Sequence, residues 1–193
     1  MAVKISTKQH QSNFQAFTKE EVLNDYRIAY ESRQASLLGR REVLSGKGKF
    51  GIFGDGKEIA QLAMARVFRN GDWRSGYYRD QTFMLAAGLM RIEEIFAQIY
   101  GDTDIKFNPM NGGRLMGNHF ATRSLDENGN WKNLTEQKNS SADISPTAGQ
   151  MPRLLGLALT SKLFRENQHL SHLTHISNNG NEVAFGTIGD AST

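Results

Sequence analysis

Small and acidic residues follow an apolar run near the end of the chain. The run, residues 182–188, carries β-branched and aromatic side chains, and Gly189, Asp190, Ala191 and Ser192 come directly after it. In α/β proteins, the loops at the carboxyl ends of strands hold ligands. Backbone N–H groups of small residues can approach a phosphate closely, and a carboxylate can bind an accompanying Mg²⁺. The pattern predicts a phosphate–metal site, although a plain strand-to-helix turn has the same letters.

A second candidate anion site is the segment Tyr78, Arg79 and Asp80, which lies between two predicted helices. A guanidinium group presents a planar fork of donors that suits diphosphate oxygens, and a tyrosine hydroxyl adds another donor. An ion pair within the segment is the alternative interpretation. A third candidate is the turn from Ser145 to Gln150, which could contact a polar heterocycle or a cation, or simply begin the next helix.

Three other patterns give weaker signals. His169, His172 and His175 recur at three-residue spacing, but a zinc site would need a helix face and a fourth ligand, so a solvated surface is favoured. Residues 53–56 have the letters of a phosphate loop without a clear preceding strand. No P-loop fingerprint occurs, and Ser-His-Asp catalysis has no local signature.

Hydrophobic periodicity supplies the elements that would position these residues. Thr18 and Glu21 form a capping-box pattern that begins a helix running to about Leu38. Residues 124–143 are rich in Asn, Ser, Lys and Asp, and they predict an exposed insertion. The other predicted elements are a helix over 57–70, an amphipathic helix whose stripe runs from Leu85 to Ile99 and ends at Gly101, a helix over 150–165 and a strand over 182–188. Helices with a strand at the end indicate an α/β fold.

Composition narrows the class of protein. The chain has 193 residues, and its formal charge of +3 is too small to favour a nucleic-acid partner. No apolar run approaches the ~18 residues of a membrane helix, so no membrane partner is expected. Cysteine is absent, which excludes disulfides and thiolate chemistry and favours a cytoplasmic location. Residues 1–17 are polar and irregular, so we expect a flexible lead-in there. Because the chain stops at a strand end, we expect residues 18–193 to be the amino-terminal part of a larger domain.

The separate motifs also occur in a recognisable order along residues 20–193. They are Gly56-Lys57-Glu58-Ile59-Ala60; Asp72-Trp73 with Tyr78-Arg79-Asp80-Gln81; Gly112-Gly113-Arg114-Leu115-Met116-Gly117-Asn118-His119; Ser145-Pro146-Thr147-Ala148-Gly149-Gln150-Met151-Pro152; and Ile188-Gly189-Asp190-Ala191-Ser192. In this order and spacing, the chain resembles the alpha subunit of the thiamine diphosphate-dependent 2-oxo acid dehydrogenases, the decarboxylating component of those complexes. The resemblance implies a thiamine diphosphate-binding α/β fold, a parallel sheet flanked by helices and incomplete at the C-terminus.

The resemblance also implies roles for individual residues. Tyr78 and Arg79 would bind the cofactor diphosphate, and His119 would face the active-site channel as the catalytic histidine. Ser145 and Thr147 would lie near the aminopyrimidine ring, Thr147 through its backbone. The turn Gly189, Asp190, Ala191 and Ser192 would begin the diphosphate–Mg²⁺ motif, with Asp190 as the metal ligand.

Departures from the family pattern leave a second hypothesis open. Gln81 stands where the family has a histidine near the cofactor, Lys57 replaces a glutamine, and Gly149 replaces a threonine of the Ser-Pro turn. The expected partners are a beta-type subunit or fused beta-like half, a lipoyl-bearing acyltransferase component and a 2-oxo acid. The alternative is a non-catalytic fragment or interaction module that keeps the scaffold without turnover.

Overall fold

The chain begins its regular structure with a long helix whose start is fixed by its cap. The computed structural model describes residues 17–192. Helix α1 spans Lys19–Leu44, and the Thr18 hydroxyl accepts the Glu21 backbone N–H while the Glu21 carboxylate accepts the Thr18 N–H. The capping-box prediction is confirmed, but the helix continues past the predicted end at Leu38. Gly39 lies inside this helix, and a side chain at this position would clash, because a Cβ there would lie 2.5 Å from the Phe53 ring. Apart from Phe17, the predicted lead-in over 1–17 lies outside the described residues.

A small parallel sheet lies at the centre of the fold. Strands β1 (Trp73–Arg74), β2 (Asn139–Ser140) and β3 (Ala184–Phe185) have the order β2-β1-β3, and both pairings are parallel. The predicted strand over 182–188 therefore exists, but only its two central residues pair. Neither β1 nor β2 was predicted, because two-residue strands are too short for a period-2 pattern.

The prediction of an exposed insertion over 124–143 is wrong for its second half. Leu134 is 1% exposed and Asn139 is fully buried, and Asn139 pairs with Trp73 in the sheet. The Asn139 amide donates to the Leu134 carbonyl at 2.8 Å, and the Leu134 N–H donates to the His175 carbonyl at 2.7 Å. Polar composition was misleading here, because these polar groups are buried with their hydrogen bonds satisfied inside the protein.

The remaining helices pack on the sheet and on α1. Helix α2 spans Glu58–Val67, and α5 spans Gln150–Glu166 with Pro152 in its first turn, as predicted. The single amphipathic helix expected before Gly101 is instead two helices, α3 (Gln81–Ala86) and α4 (Ile92–Tyr100). Gly88 breaks it with a φ of +72°, a conformation that favours glycine, and Gly101 ends α4 in the same region at +71°. Short 3₁₀ turns occupy Gln168–Leu170 and Asp190–Ser192.

The hydrophobic core lies between α1, α2, α3, α4 and the sheet. Its most buried members are Phe83, Met84, Ile95, Ile99 and Phe120. Helices flank a parallel sheet, so the α/β prediction is confirmed. Within residues 17–192, no helix combines the length and the apolar character needed to cross a membrane.

Candidate functional site

Three loops meet at one edge of the sheet. Because β1, β2 and β3 are parallel, their carboxyl ends point the same way. The loops that leave them are residues 75–80, 141–149 and 186–192. Ligands of α/β proteins bind at this edge. All but two of the residues predicted for the site lie in these loops: Gln81 follows the first loop directly, and His119 comes from a separate loop before β2.

The aromatic part of the site consists of Tyr77, Tyr78 and His119. The Tyr77 and Tyr78 rings lie 3.9 Å apart between centroids and their hydroxyls share a short hydrogen bond. The Tyr78 ring stacks on the His119 imidazole at 5.7 Å. Burial raises the pKa of Tyr77, and the hydrogen bond with Tyr78 raises it further. One hydroxyl of the pair donates to the other, so one hydroxyl proton is left for a further acceptor.

His119 is held by hydrogen bonds from both ring nitrogens. Its Nδ1 lies 3.2 Å from the Gly117 carbonyl oxygen, and its Nε2 lies 3.0 Å from the Ser145 hydroxyl. The carbonyl can only accept, so Nδ1 carries a proton; whenever Nε2 carries none, it accepts from the Ser145 hydroxyl. His119 is 3% exposed whereas Ser145 is exposed. The serine hydroxyl therefore connects the buried imidazole with the surface of the site. Thr147, two residues along the same turn, is also exposed.

Arg79 lies over the tyrosine pair. The centre of its guanidinium is 5.5 Å from the Tyr78 ring and 5.9 Å from the Tyr77 ring, within the range of a cation–π contact. Its backbone carbonyl accepts the Gln61 amide at 2.9 Å. Gly54 also approaches this carbonyl so closely that a Cβ there would lie 2.1 Å from it. The backbone of Arg79 is thus fixed on two sides, and its half-buried side chain offers a fork of donors to an anion.

The end of the chain closes the site from the other side. A Cβ on Gly189 would lie 3.9 Å from the Tyr77 ring and 3.3 Å from the Ser192 hydroxyl. The turn Asp190–Ser192 begins here, and the Ser192 N–H donates to the Gly189 carbonyl at 2.9 Å. The structure therefore brings this turn next to Tyr77, as the order of the motifs suggested. The site therefore combines hydrogen-bond donors of three kinds, namely guanidinium, phenol and serine hydroxyl, around a glycine whose backbone is accessible. Such donors are suited to bind the oxygens of a diphosphate.

A buried charge cluster lies under the site. Arg74 is fully buried and binds the carboxylates of Asp80 at 2.8 Å and Asp143 at 3.0 Å. Burial acts to lower the pKa of Arg74, but the two carboxylates keep it above its usual value. Burial raises the pKa of Asp143, and Arg74 opposes that rise. The alternative interpretation of an ion pair at Asp80 is thus half correct: the pair exists, but it is buried and its cation is Arg74.

Gln81 is directed away from the tyrosine pair. Its amide nitrogen donates to the Ser32 carbonyl and hydroxyl, both at 3.0 Å, and its amide oxygen accepts the Asn118 amide at 2.9 Å. These hydrogen bonds connect α3 with α1 and with the loop before β2. A contact between Gln81 and a cofactor stays a prediction.

Four residues hold the site loops together, and the sequence did not reveal this role for any of them. Gln150 donates to the Thr187 carbonyl at 2.6 Å, and the Ser75 hydroxyl donates to the Gln150 carbonyl at 2.9 Å. The Thr187 hydroxyl donates to both carboxylate oxygens of Asp80, at 2.9 and 2.8 Å. Gln150 and Asp80 stand inside quoted motifs, so their positions were visible, but Ser75 and Thr187 carry no sequence signal.

Metal ligands are few in the described chain. Residues 17–192 contain no group of three or more His, Asp or Glu side chains arranged to hold a metal ion. His169 and His172 are exposed and His175 is half-buried. Asp190 lies exposed at the start of its turn, and its carboxylate is an oxygen ligand of the type that Mg²⁺ prefers. This part of the chain therefore offers one carboxylate toward such a site.

One known protein family matches most of the chain. A family model described as "Dehydrogenase E1 component" matches residues 33–193, a range that includes all three site loops. Comparison with curated proteins gave no significant match. E1 components of this family depend on thiamine diphosphate. The match covers most of the chain and confirms the resemblance to the alpha subunit of 2-oxo acid dehydrogenases. The chain belongs to the dehydrogenase E1 component family.

Proposed function

We propose that residues 18–193 hold the diphosphate and Mg²⁺ of thiamine diphosphate in the decarboxylating component of a 2-oxo acid dehydrogenase. One observation carries the proposal: the tyrosine–arginine loop after β1 meets the Gly189 turn after β3, with 3.9 Å between the Tyr77 ring and a Cβ placed on Gly189. Anion donors come from the first loop, and a carboxylate ligand comes from the second. This pairing is what a diphosphate bound together with its metal ion requires.

Each side chain has a task in this proposal. Arg79 and the Tyr78 hydroxyl donate to diphosphate oxygens, and the Ser192 hydroxyl and the backbone around Gly189 and Ala191 approach the same group. Asp190 binds Mg²⁺. A charged donor fork on a fixed backbone holds an anion in one orientation, which is the main contribution of such a site to the reaction.

The turn after β2 serves the other end of the cofactor. Ser145 and the backbone of Thr147 lie near the aminopyrimidine ring, and His119 faces the substrate channel through Ser145. The 3.0 Å contact between His119 Nε2 and the Ser145 hydroxyl supports this role, because a proton can pass between them. When bound, the thiazolium ring supplies the carbanion chemistry that releases carbon dioxide from a 2-oxo acid.

The complete activity requires other proteins in this proposal. A beta-type subunit or fused beta-like half completes the cofactor site, and the acyl group passes to lipoamide on an acyltransferase component. Membership of the dehydrogenase E1 component family supports both partners, since such components work within dehydrogenase complexes. The cytoplasmic location stays a prediction.

Calorimetric titration tests the proposal. The full chain is titrated with thiamine diphosphate and Mg²⁺, with and without a beta-type subunit, alongside Arg79→Ala. Charge-assisted hydrogen bonds contribute about 1.5–3 kcal/mol, so this variant should bind about tenfold more weakly or worse. Arg91→Ala is the matched control, because Arg91 pairs with Glu94 at the surface, on the helix that follows α3. Equal affinities for the two variants would refute the assignment of Arg79.

The non-catalytic module remains the second candidate. Gln81 favours it, since this residue replaces a family histidine and its amide is bonded inside the protein. The same titration decides: Mg²⁺-dependent binding that Arg79→Ala weakens supports the enzyme component. Absence of binding, even with the beta-type subunit present, supports the module.

A further inference from the structure

The buried carboxylate of Asp80 connects the two loops that meet at the site. It is 3% exposed and accepts the Tyr77 backbone N–H at 3.0 Å, from the loop after β1. It also accepts the Thr187 hydroxyl on both oxygens, from the loop after β3. Arg74 adds two further hydrogen bonds to one of these oxygens, at 2.8 and 3.1 Å. One side chain therefore contacts both loops from underneath.

The contacts of Asp80 lie close to the proposed ligand groups in sequence. Tyr77 precedes Tyr78 and Arg79, and Thr187 stands two residues before Gly189. Because consecutive Cα atoms are about 3.8 Å apart, the Gly189 Cα must lie within about 7.6 Å of the Thr187 Cα, so fixing Thr187 restricts where Gly189 can lie. The Gln150 amide also donates to the Thr187 carbonyl, at 2.6 Å, so Gln150 and Asp80 together hold Thr187.

Asp143 provides an internal comparison. It binds the same Arg74 from the other side, at 3.0 and 3.2 Å, and it is equally buried. Its further acceptor contact is the Phe120 N–H, at 3.2 Å. The hydrogen bonds described for Asp143 thus go to the core, whereas those of Asp80 go to the site loops. Both carboxylates neutralise Arg74, but only Asp80 bonds the two loops to each other.

We propose that Asp80 is a positioning residue that sets the spacing between the diphosphate donors and the metal ligand, acting through Thr187. This inference rests on the proposed function. A diphosphate and its Mg²⁺ must meet Arg79 and Asp190 at the same time, and a site whose two halves are already spaced loses less freedom on binding. Asp80 itself touches neither ligand in this proposal.

The test compares variants by affinity and by stability. The full chain, with a beta-type subunit where binding requires it, is titrated with thiamine diphosphate in Mg²⁺, and thermal unfolding is recorded without ligand. Asp80→Asn and Thr187→Val should each weaken binding by about tenfold, and the double variant should lose less than the product because both remove one linkage. Thr187→Ser keeps the hydroxyl and should restore the affinity.

Asp143→Asn is the matched control. It should lower the unfolding temperature as Asp80→Asn does, yet weaken binding less than Asp80→Asn does, since it leaves the Tyr77 and Thr187 contacts of Asp80 in place. If Asp80→Asn fails to fold, Thr187→Val against Thr187→Ser still decides. Equal losses of affinity for the Asp80 and Asp143 variants would overturn this inference but not the proposed function. A Thr187→Val chain that binds like the unsubstituted one would do the same. An unsubstituted chain that binds no thiamine diphosphate would refute the proposed function, and the inference with it.

Discussion

A single methyl group added at Gly54 should displace Arg79, the residue proposed to bind the diphosphate. A Cβ at this position would lie 2.1 Å from the Arg79 carbonyl oxygen and 3.1 Å from its carbonyl carbon. Ordinary van der Waals contact begins near 3.4 Å, so the two backbones must separate by about 1.3 Å. The obstacle is backbone rather than a flexible side-chain tip, so rotation of a side chain cannot relieve the clash.

Two magnitudes follow for Gly54→Ala. Overpacking of this kind destabilises a protein by about 1–3 kcal/mol. A misplacement of about 1 Å can reduce activity by about 100-fold, and part of that loss should appear as weaker cofactor binding. The Gln61 amide, which donates to the same carbonyl at 2.9 Å, should lose its hydrogen bond as well.

Denaturant unfolding and cofactor titration together measure these effects. Gly156→Ala is the matched control, because Gly156 lies in α5 with nothing within 4 Å of a Cβ placed there. This control should stabilise the chain by up to about 1 kcal/mol, since alanine favours helix over glycine, and should leave the cofactor affinity unchanged. A Gly54→Ala chain with unchanged stability and affinity would refute the argument from close approach.

Three further changes test the surrounding structure. Arg33 holds the pKa of Glu58 at about 2, chiefly by hydrogen bonding. Because the pKa of Glu58 is lower in the folded than in the unfolded chain, its carboxylate stabilises the fold at pH values above the unfolded-state pKa. This stabilisation is lost as the pH falls through the folded-state pKa of about 2. Glu58→Gln should therefore cost about 1–2 kcal/mol at pH 7, after allowance for the half-exposed arginine, and nothing near pH 2, measured by urea unfolding across pH. Arg74→Met should cost about 3–5 kcal/mol or prevent folding, because two buried carboxylates lose their cation; a mild effect by circular dichroism melts would contradict this. Leu134→Ala should cost about 2–5 kcal/mol because Leu134 is buried, whereas Leu125→Ala, at a side chain that is 43% exposed, should cost little; equal costs would mean that the segment is not part of the core.

The sequence identified the loops that meet at the edge of the sheet better than it predicted the sheet itself. Tyr78 and Arg79 were identified because their side chains donate hydrogen bonds, and Gly189 because a glycine lets the backbone approach a ligand closely. These properties belong to single residues and can be read directly from the sequence. The structure does bring Gly189 next to the tyrosine pair. Their meeting was expected only from the family resemblance, because β1, the strand before Tyr78 and Arg79, was not predicted.

The sheet itself was largely hidden for a physical reason. Asn139 and Ser140 form β2, and both are polar although buried. They are tolerated there because partners are supplied from a distant segment: the Asn139 amide donates to the Asp72 carbonyl, and the Ser140 hydroxyl accepts from Arg74. Single-sequence patterns detect alternating hydrophobicity and not such long-range satisfaction, so the segment was assigned to the surface.

Glutamine in place of the family histidine at position 81 is compatible with the proposed function, because Gln81 forms hydrogen bonds inside the protein that a histidine could also form. Its buried amide gives a donor to Ser32 and an acceptor to Asn118. A neutral histidine also carries one ring N–H donor and one ring nitrogen acceptor, so glutamine can match that complement. The difference is that glutamine does not titrate, whereas a buried histidine would have to be kept neutral. The exchange therefore preserves the connection between α1, α3 and the loop that carries His119, and it removes a group whose charging would break that connection in acid.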